Sequence, residues 1–472
     1  MSATLLAALV LQLVSVCLLR ARLGAGWLGR PFTLFALMAV LFHGISEVLI
    51  RTPAAQGFRR SPRWSIEQSY IDDAALVVSI GLFVAVLGYL ALVSPSMPGP
   101  PEPATARSAC WPLDWRITGL AAVPLLAATV SGNGYGSRSA YLPAPTAALR
   151  DLSNTFLVIL VVLTAFSFVL KYGRRWLVPV LAVQSLVLAV GGQRSELFVG
   201  AAVLLVLLYH MDIRLSRRAV AIALSIAAVA ALGITAARES VGREYFRDDS
   251  GFLGRSRAIA DGVLTPLDPG TLLSELAHRF DGNVFAGQVD KSVRAGSGSE
   301  QLGTSSILDS FLIVVPSALY TEKSNSDRAR SLEYQLIAER NVVPIDYAPG
   351  SIGPYLGAIG RLGLLVLMLL VGLAFALAEN FLFRRVTLNR ILILATLLQG
   401  VLFFAKELVG IAVFLRTGLL LVLIVAMLRV LLPLGAKVAS RFAGRTVPSM
   451  SGHPSPVCAT TETPRPVSGG SG

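Results

Sequence analysis

Charge is scarce in this 472-residue chain. Asp, Glu, Lys and Arg together make up 15% of it, where a soluble domain carries roughly a quarter. That shortage argues against an ordinary water-soluble fold. Cysteine is scarcer still, with three residues. Cys17 lies in the first apolar run, Cys110 in a Pro-rich connection and Cys458 near the C-terminus. None has metal-ligand spacing, which excludes a disulfide framework and a thiolate zinc site. The chain has no Walker loop, no GxSxG and no HExxH, so the familiar soluble-enzyme motifs are missing. Ten-residue alternating segments are absent too, which argues against a β-barrel. No basic residue precedes the first apolar stretch, MSATLLAALVLQLVSVCLL, and Arg20 and Arg22 follow it. That order is the reverse of a signal peptide and predicts a retained first span. No internal repeat is visible, which counts against an inverted-repeat transporter.

Apolar residues are what the chain has in excess, at 54%, with a mean hydropathy of +0.67. Runs near the length needed to cross a bilayer recur from end to end. The reading is an all-α polytopic membrane protein. Eleven spans are expected, at about 3–19, 32–50, 74–93, 116–131, 153–170, 176–191, 197–210, 219–237, 354–378, 387–405 and 409–431. The expected organisation is spans one to eight within 1–237, an external loop domain at 238–351, spans nine to eleven within 352–432, and a disordered cytoplasmic tail at 433–472. That tail is rich in Ser, Pro, Thr and Gly.

The net charge of +13 would suit nucleic acid, but its distribution does not. Connections 20–31, 171–175, 211–218 and 380–390 hold three Lys or Arg each. Such clustering sets membrane orientation and predicts the N-terminus outside and the C-terminus in the cytoplasm. The first outer connection dissents, with Arg51, Arg59, Arg60 and Arg63. Residues 238–351 reverse the sign, with 12 Lys/Arg against 16 Asp/Glu. This is the expected external domain, and it looks partly helical.

Three stretches could carry chemistry. The first is AVGGQRSELFVG, residues 189–200. Gly191 and Gly192 leave bare backbone beside Arg194, and Glu196 follows two residues on. A guanidinium offers a fork of donors suited to phosphate. A lone arginine at a helix end is equally a headgroup anchor. The second is LAHRFDG, residues 276–282. Here Arg279 would be a second phosphate ligand, and Asp281 or His278 a base for a sugar hydroxyl. The alternative is a solvated helix end whose basic residues favour the dipole. The third is DYAPGSIGPYLGAIGRLG, residues 346–363. If helical, Gly350, Gly353, Gly357 and Gly360 form one smooth stripe, bordered by Tyr347, Tyr355 and Arg361. The stripe either packs membrane helices closely or admits a substrate to the backbone.

Other polar residues carry blander expectations. His43 and Glu47, four apart, read as a mutually satisfied pair. Arg416 must face protein or a water-filled cavity, with Glu407 a candidate partner. Asp72–Asp73 and Asp248–Asp249 could hold a divalent cation, but adjacent carboxylates are common at a solvated surface, so no metal and no cofactor is assigned.

GGQRSELF (191–198), the late external segment, SFLIVVPSALYTEKSN (310–325) and PGSIGPYLGAIGRLG (349–363) together resemble the O-antigen polymerase, or oligosaccharide repeat-unit polymerase, family. The resemblance spans about 150–430. It implies a membrane glycosyltransferase of the GT-C type in the bacterial inner membrane, which joins polyprenyl-diphosphate-linked oligosaccharide units on the outer side. Arg194 and Arg279 lead as groups that stabilise the diphosphate, with Arg361 third. Tyr320, Tyr334 and Tyr347 are the sugar-reading candidates. Membrane lipid, a flippase and a chain-length regulator are the other partners implied. Two further readings stay open: an O-antigen-ligase-like transferase, which would need His278, and a transporter or flippase of a lipid-linked or anionic solute.

Overall fold

The computed structural model describes residues 1–52, 66–94, 115–130, 144–190, 194–211, 280–294, 303–315, 332–340, 350–384, 387–403 and 408–443, with isolated positions between 213 and 277. Among the described residues the chain is helical and has no strand. The helices are α1 (Ala3–Leu23), α2 (Pro31–Ile50), α3 (Gln68–Leu92), α4 (Trp115–Val130), α5 (Ala144–Tyr172), α6 (Leu177–Val190) and α7 (Arg194–His210), followed by α8 (Gly282–Arg294), α9 (Gly303–Phe311), α10 (Leu332–Arg340), α11 (Gly353–Leu382), α12 (Leu388–Leu402) and α13 (Leu408–Ala443). Within α13, residues from Leu423 belong to a separate unit.

Five helices are long and apolar enough to cross a membrane: α1, α2, α3, α11 and the Leu408–Met427 part of α13. The chain is thus a helical membrane-embedded protein. Shorter apolar helices stand at other expected spans, including Phe156–Tyr172, Glu196–His210 and Leu388–Leu402. The expected span at 219–237 is described only at isolated positions, and the tail beyond 443, Asp248–Asp249 and Lys406–Glu407 lie outside the described residues.

Helices α3 and α11 form the central pair, and glycine lets them touch. A Cβ at Gly372 would lie 2.0 Å from the Ala85 carbonyl oxygen, and one at Gly88 would lie 2.9 Å from the Leu369 carbonyl oxygen. Backbones this close admit no side chain, which is how small residues bind membrane helices where burial from water gives no driving force. Helix α1 packs on α3, while α2 touches α3, α11 and α12. A second group joins α4, α5, α6 and α7.

From the segment expected outside, α8 is inserted between α3 and α11. Its residues Gly282 to Asp290 are all buried. Gly287 permits this, because a Cβ there would come within 3.1 Å of the Ile71 Cα. Phe285 and Val289 pack with Leu336 of α10 in one small core. The helix therefore acts as a plug in the upper end of the bundle, where "upper" denotes the end at which α1, α3 and α11 begin and α2 finishes.

The glycine stripe is not one smooth face. Gly350 stands in the turn before α11 with φ +72°, and Gly360 breaks the helix with φ +68°. Both angles lie in the region glycine reaches without a Cβ penalty. Gly353 and Gly357 instead face protein: a Cβ at Gly353 would meet Phe285 and Ala286, and one at Gly357 would lie 2.5 Å from Val289.

Candidate functional site

The upper end is built on carboxylates held below the surface. Asp290, 2% exposed, is the centre. Arg361 reaches it with a two-pronged contact, Nη2 donating to Oδ1 at 3.1 Å and Oδ2 at 3.0 Å, and Nε to Oδ1 at 3.2 Å. The break at Gly360 immediately precedes Arg361, so the chain direction that brings this guanidinium to Asp290 depends on a glycine conformation. Arg294, one turn along α8, pairs with Asp290 at 2.9 Å and with Asp73 of α3 at 2.5 Å. The Arg361 and Arg294 side chains remain 47% and 38% exposed. Arg294 and Lys291 also lie over the Tyr70 ring, at 5.4 and 5.9 Å. Burial opposes the Arg294 charge, and Asp73 and Asp290 more than offset it, lifting its pKa above the ordinary value. The result is a rim of three cations, of which Arg294 and Arg361 are oriented by acids behind them, with donor edges left toward solvent.

Beneath the rim lies a second polar layer. His43 sits in a π-helical turn of α2, Leu41–Ile45, an irregularity common at functional positions. Its Nδ1 donates to the Asn283 Oδ1 at 2.8 Å. Asn283 Nδ2 donates to the His43 carbonyl at 3.0 Å and to Glu47 Oε2 at 3.3 Å. Asn283 thus joins the two residues expected to satisfy each other. Gly282 makes room, since a Cβ there would lie 2.7 Å from the His43 ring. Glu47 also accepts from Arg51 at 2.7 Å, and Arg51 bridges on to Asp72. Asp72 in turn accepts from the Ser2 hydroxyl at 2.5 Å. Asp72 and Asp73 therefore turn to different arginines, one half-buried in this layer and one on the rim.

The lower end carries a separate cluster. Arg30, before α2, donates to the Tyr89 hydroxyl at 3.3 Å and the Ser94 carbonyl at 2.9 Å, and stands 3.6 Å from Glu379 of α11. Glu379 accepts from Tyr89 at 2.5 Å and from the Phe32 backbone N–H at 2.7 Å. Both charged side chains are buried, at 2% and 0% exposure. Phe32 stacks on Tyr89 with centroids 4.2 Å apart.

The residues picked from sequence are distributed as follows. Asp281 is buried and accepts from the Val284 N–H at 3.3 Å, which makes it the N-terminal cap of α8. The LAHRFDG stretch thus leads into a helix at its C-terminal side. Tyr355 is fully buried, Gly353 faces α8, and Glu196 is half-buried in the first turn of α7. Arg194 opens α7, but its side chain lies outside the described residues, as do His278, Arg279, Tyr347, Tyr320 and the side chain of Tyr334. Among the described residues, Arg361 is the sequence candidate that reaches the rim. Arg416 meets protein: its Nη1 donates to the carbonyls of Ile313 and Val314 at 3.3 and 3.0 Å. Those carbonyls close the turn after α9, where carbonyls lack helical partners.

Sequence reasoning missed Asp290, Lys291 and Arg294, and the lower cluster altogether. A signal existed for the first group. GQVDKSVR places Asp290 and Arg294 four apart, the spacing of a helical ion pair.

Compared with known proteins, the chain matches no family model, no curated protein and no solved structure.

Proposed function

We propose that this protein is a membrane glycosyltransferase of the bacterial inner membrane. It polymerises polyprenyl-diphosphate-linked oligosaccharide units at its upper, outward-facing end. The observation that supports this reading is the rim itself. Arg361 and Arg294, half exposed, share one buried carboxylate, Asp290. Two guanidinium forks held from behind suit a diphosphate, whose charge grows as it leaves.

The reaction is a displacement. A hydroxyl oxygen of the incoming unit attacks the anomeric carbon of the growing chain. The bond from that carbon to the diphosphate oxygen breaks, and the lipid diphosphate departs with the electron pair. The hydroxyl proton goes to a base, for which the stretch before α8 supplies His278 and Asp281. Arg194 and Arg279 complete the cationic lining in this reading, and Tyr347 borders the saccharide path, whereas Tyr355, fully buried, packs beneath it. No nucleotide and no metal is required, because fixed cations stabilise the leaving group.

A second reading is favoured by one specific feature. Helices α3 and α11 carry charged clusters at both ends, Asp73–Arg294–Asp290–Arg361 above and Arg30–Tyr89–Glu379 below. Clusters so placed suit the two gates of a transporter. Glycan analysis of a deletion strain separates the readings. Loss of long polymer with single repeat units still reaching the surface supports polymerisation. Loss of every unit from the surface supports transport and overturns the polymerase.

A further inference from the structure

The lower ends of α4, α5 and α6 gather features that neither proposed activity uses. Helix α5 finishes at Tyr172, and Gly173 turns the chain with φ +92°. A short 3-10 turn, Arg174–Trp176, then leads into α6. Lys171, Arg174 and Arg175 are all exposed on this turn. Arg116, in the first turn of α4, is exposed as well.

Aromatic rings tie these elements together. Phe168 of α5 meets Trp115 of α4 edge-on at 5.4 Å and Trp176 edge-on at 5.8 Å, and its centroid is 4.5 Å from that of Tyr172. Arg116 lies over the Trp115 ring at 5.6 Å, and Lys171 over the Tyr172 ring at 5.6 Å. Trp176 and Tyr172 keep 41% and 37% of their surface exposed. The one acid in the flanking sequence, Asp114, lies outside the described residues. Leading away from the cations, Leu120 and Val123 of α4 and Val183 and Leu186 of α6 are all more than half exposed.

We propose that this knot is a binding site for an anionic glycerophospholipid. The headgroup phosphate sits among Arg174, Arg175 and Lys171. The glycerol backbone lies against Trp176 and Tyr172, and the acyl chains run along the exposed faces of α4 and α6. The combination argues for a lipid over a free anion. Cations alone would suit any phosphate, but here they cap an aromatic collar that continues into exposed aliphatic surface, which matches an amphiphile. Tryptophan and tyrosine favour the level of the headgroups, and basic pockets between spans hold anionic headgroups. The site uses no residue of the upper rim, so it stands whichever activity proves right.

The test is native mass spectrometry of the full chain in detergent, titrated with dioleoyl phosphatidylglycerol and, separately, with dioleoyl phosphatidylcholine. Tight binding of the glycerol lipid alone is expected. The double variant R174Q/R175Q should bind it about 25-fold more weakly, at roughly fivefold per neutralised surface cation. R174K/R175K, which keeps the charge, should restore binding to within a few-fold of the original. R20Q/R22Q removes two exposed arginines from the last turn of α1, outside this knot, and should leave affinity unchanged. Equal loss in R20Q/R22Q would show generic surface charge and overturn the site. So would undiminished binding in R174Q/R175Q, equal binding of phosphatidylcholine, or displacement of the lipid by millimolar inorganic phosphate.

Discussion

Two arginine–carboxylate clusters stand at opposite ends of the same helices, and they differ in what they leave uncovered. Below, Arg30 and Glu379 are both buried, and the acid also holds Tyr89 and the Phe32 N–H. Every group points inward, so the cluster locks the start of α2, the end of α3 and the end of α11 together. Above, the acid is buried and the arginines are half exposed. The same chemistry there orients cations instead of consuming them. Where both partners are buried the pair is a staple, and where one partner is exposed it is a platform with donors to spare.

That contrast makes stability predictions that fall in a set order. Glu379→Ala should be the most damaging, because it strands the Arg30 charge and two buried donors. A loss of about 3–5 kcal/mol is expected, read as a lower midpoint in detergent unfolding. Glu379→Gln, which keeps one acceptor oxygen for the Phe32 N–H or the Tyr89 hydroxyl, should cost less. If Glu379→Ala unfolds like the parent, the lower cluster is no staple.

Gly372→Ala comes next. Its methyl would strike the Ala85 carbonyl, which is backbone and cannot swing aside. Helices α3 and α11 must then separate, at about 1–3 kcal/mol. A parent-like midpoint would show that the close approach is not required.

Asp290→Ala removes a buried acid, but Arg294 and Arg361 can turn to water. Its cost should be on the order of 1–2 kcal/mol, between the buried-pair and surface-pair values. A loss equal to that of Glu379→Ala would erase the distinction between the two ends.

Arg361→Gln should cost least, under about 1 kcal/mol, because its side chain is half exposed. In the polymerase reading it nonetheless shortens the surface glycan while the protein still inserts. Glycan of parental length in a correctly inserted Arg361→Gln protein would remove Arg361 from the site. Arg194→Ala is expected to behave the same way, and unchanged glycan there would make Arg194 an anchor.

Much of the helical layout was legible from hydropathy alone, yet the expected spans stop short at charges. The third was drawn from 74, just after Asp72 and Asp73, whereas α3 begins at Gln68. The ninth was drawn to 378, one residue before Glu379, whereas α11 runs to Leu382. A hydropathy reading treats a charge as the edge of the membrane. Here the helices continue past the charges, because partners on other helices neutralise them. Asp72, Asp73 and Glu379, which help organise the two ends, thus read as boundaries. Asp290 was missed for the opposite reason, since a polar segment expected outside gave no cause to look for a buried helix.

Composition and hydropathy alone determined that this chain is helical and membrane-embedded, and roughly where its long apolar helices run. Those properties are local sums along single segments, so they survive without knowledge of neighbours. Tertiary structure decided that Arg30 meets Glu379, that Asn283 joins His43 to Glu47, and that α8 is buried between α3 and α11. A span apolar on every side does not encode which face meets which helix. Pairing is settled by close backbone approach at Gly88, Gly287 and Gly372, and by buried charges that each need a partner brought from far along the chain.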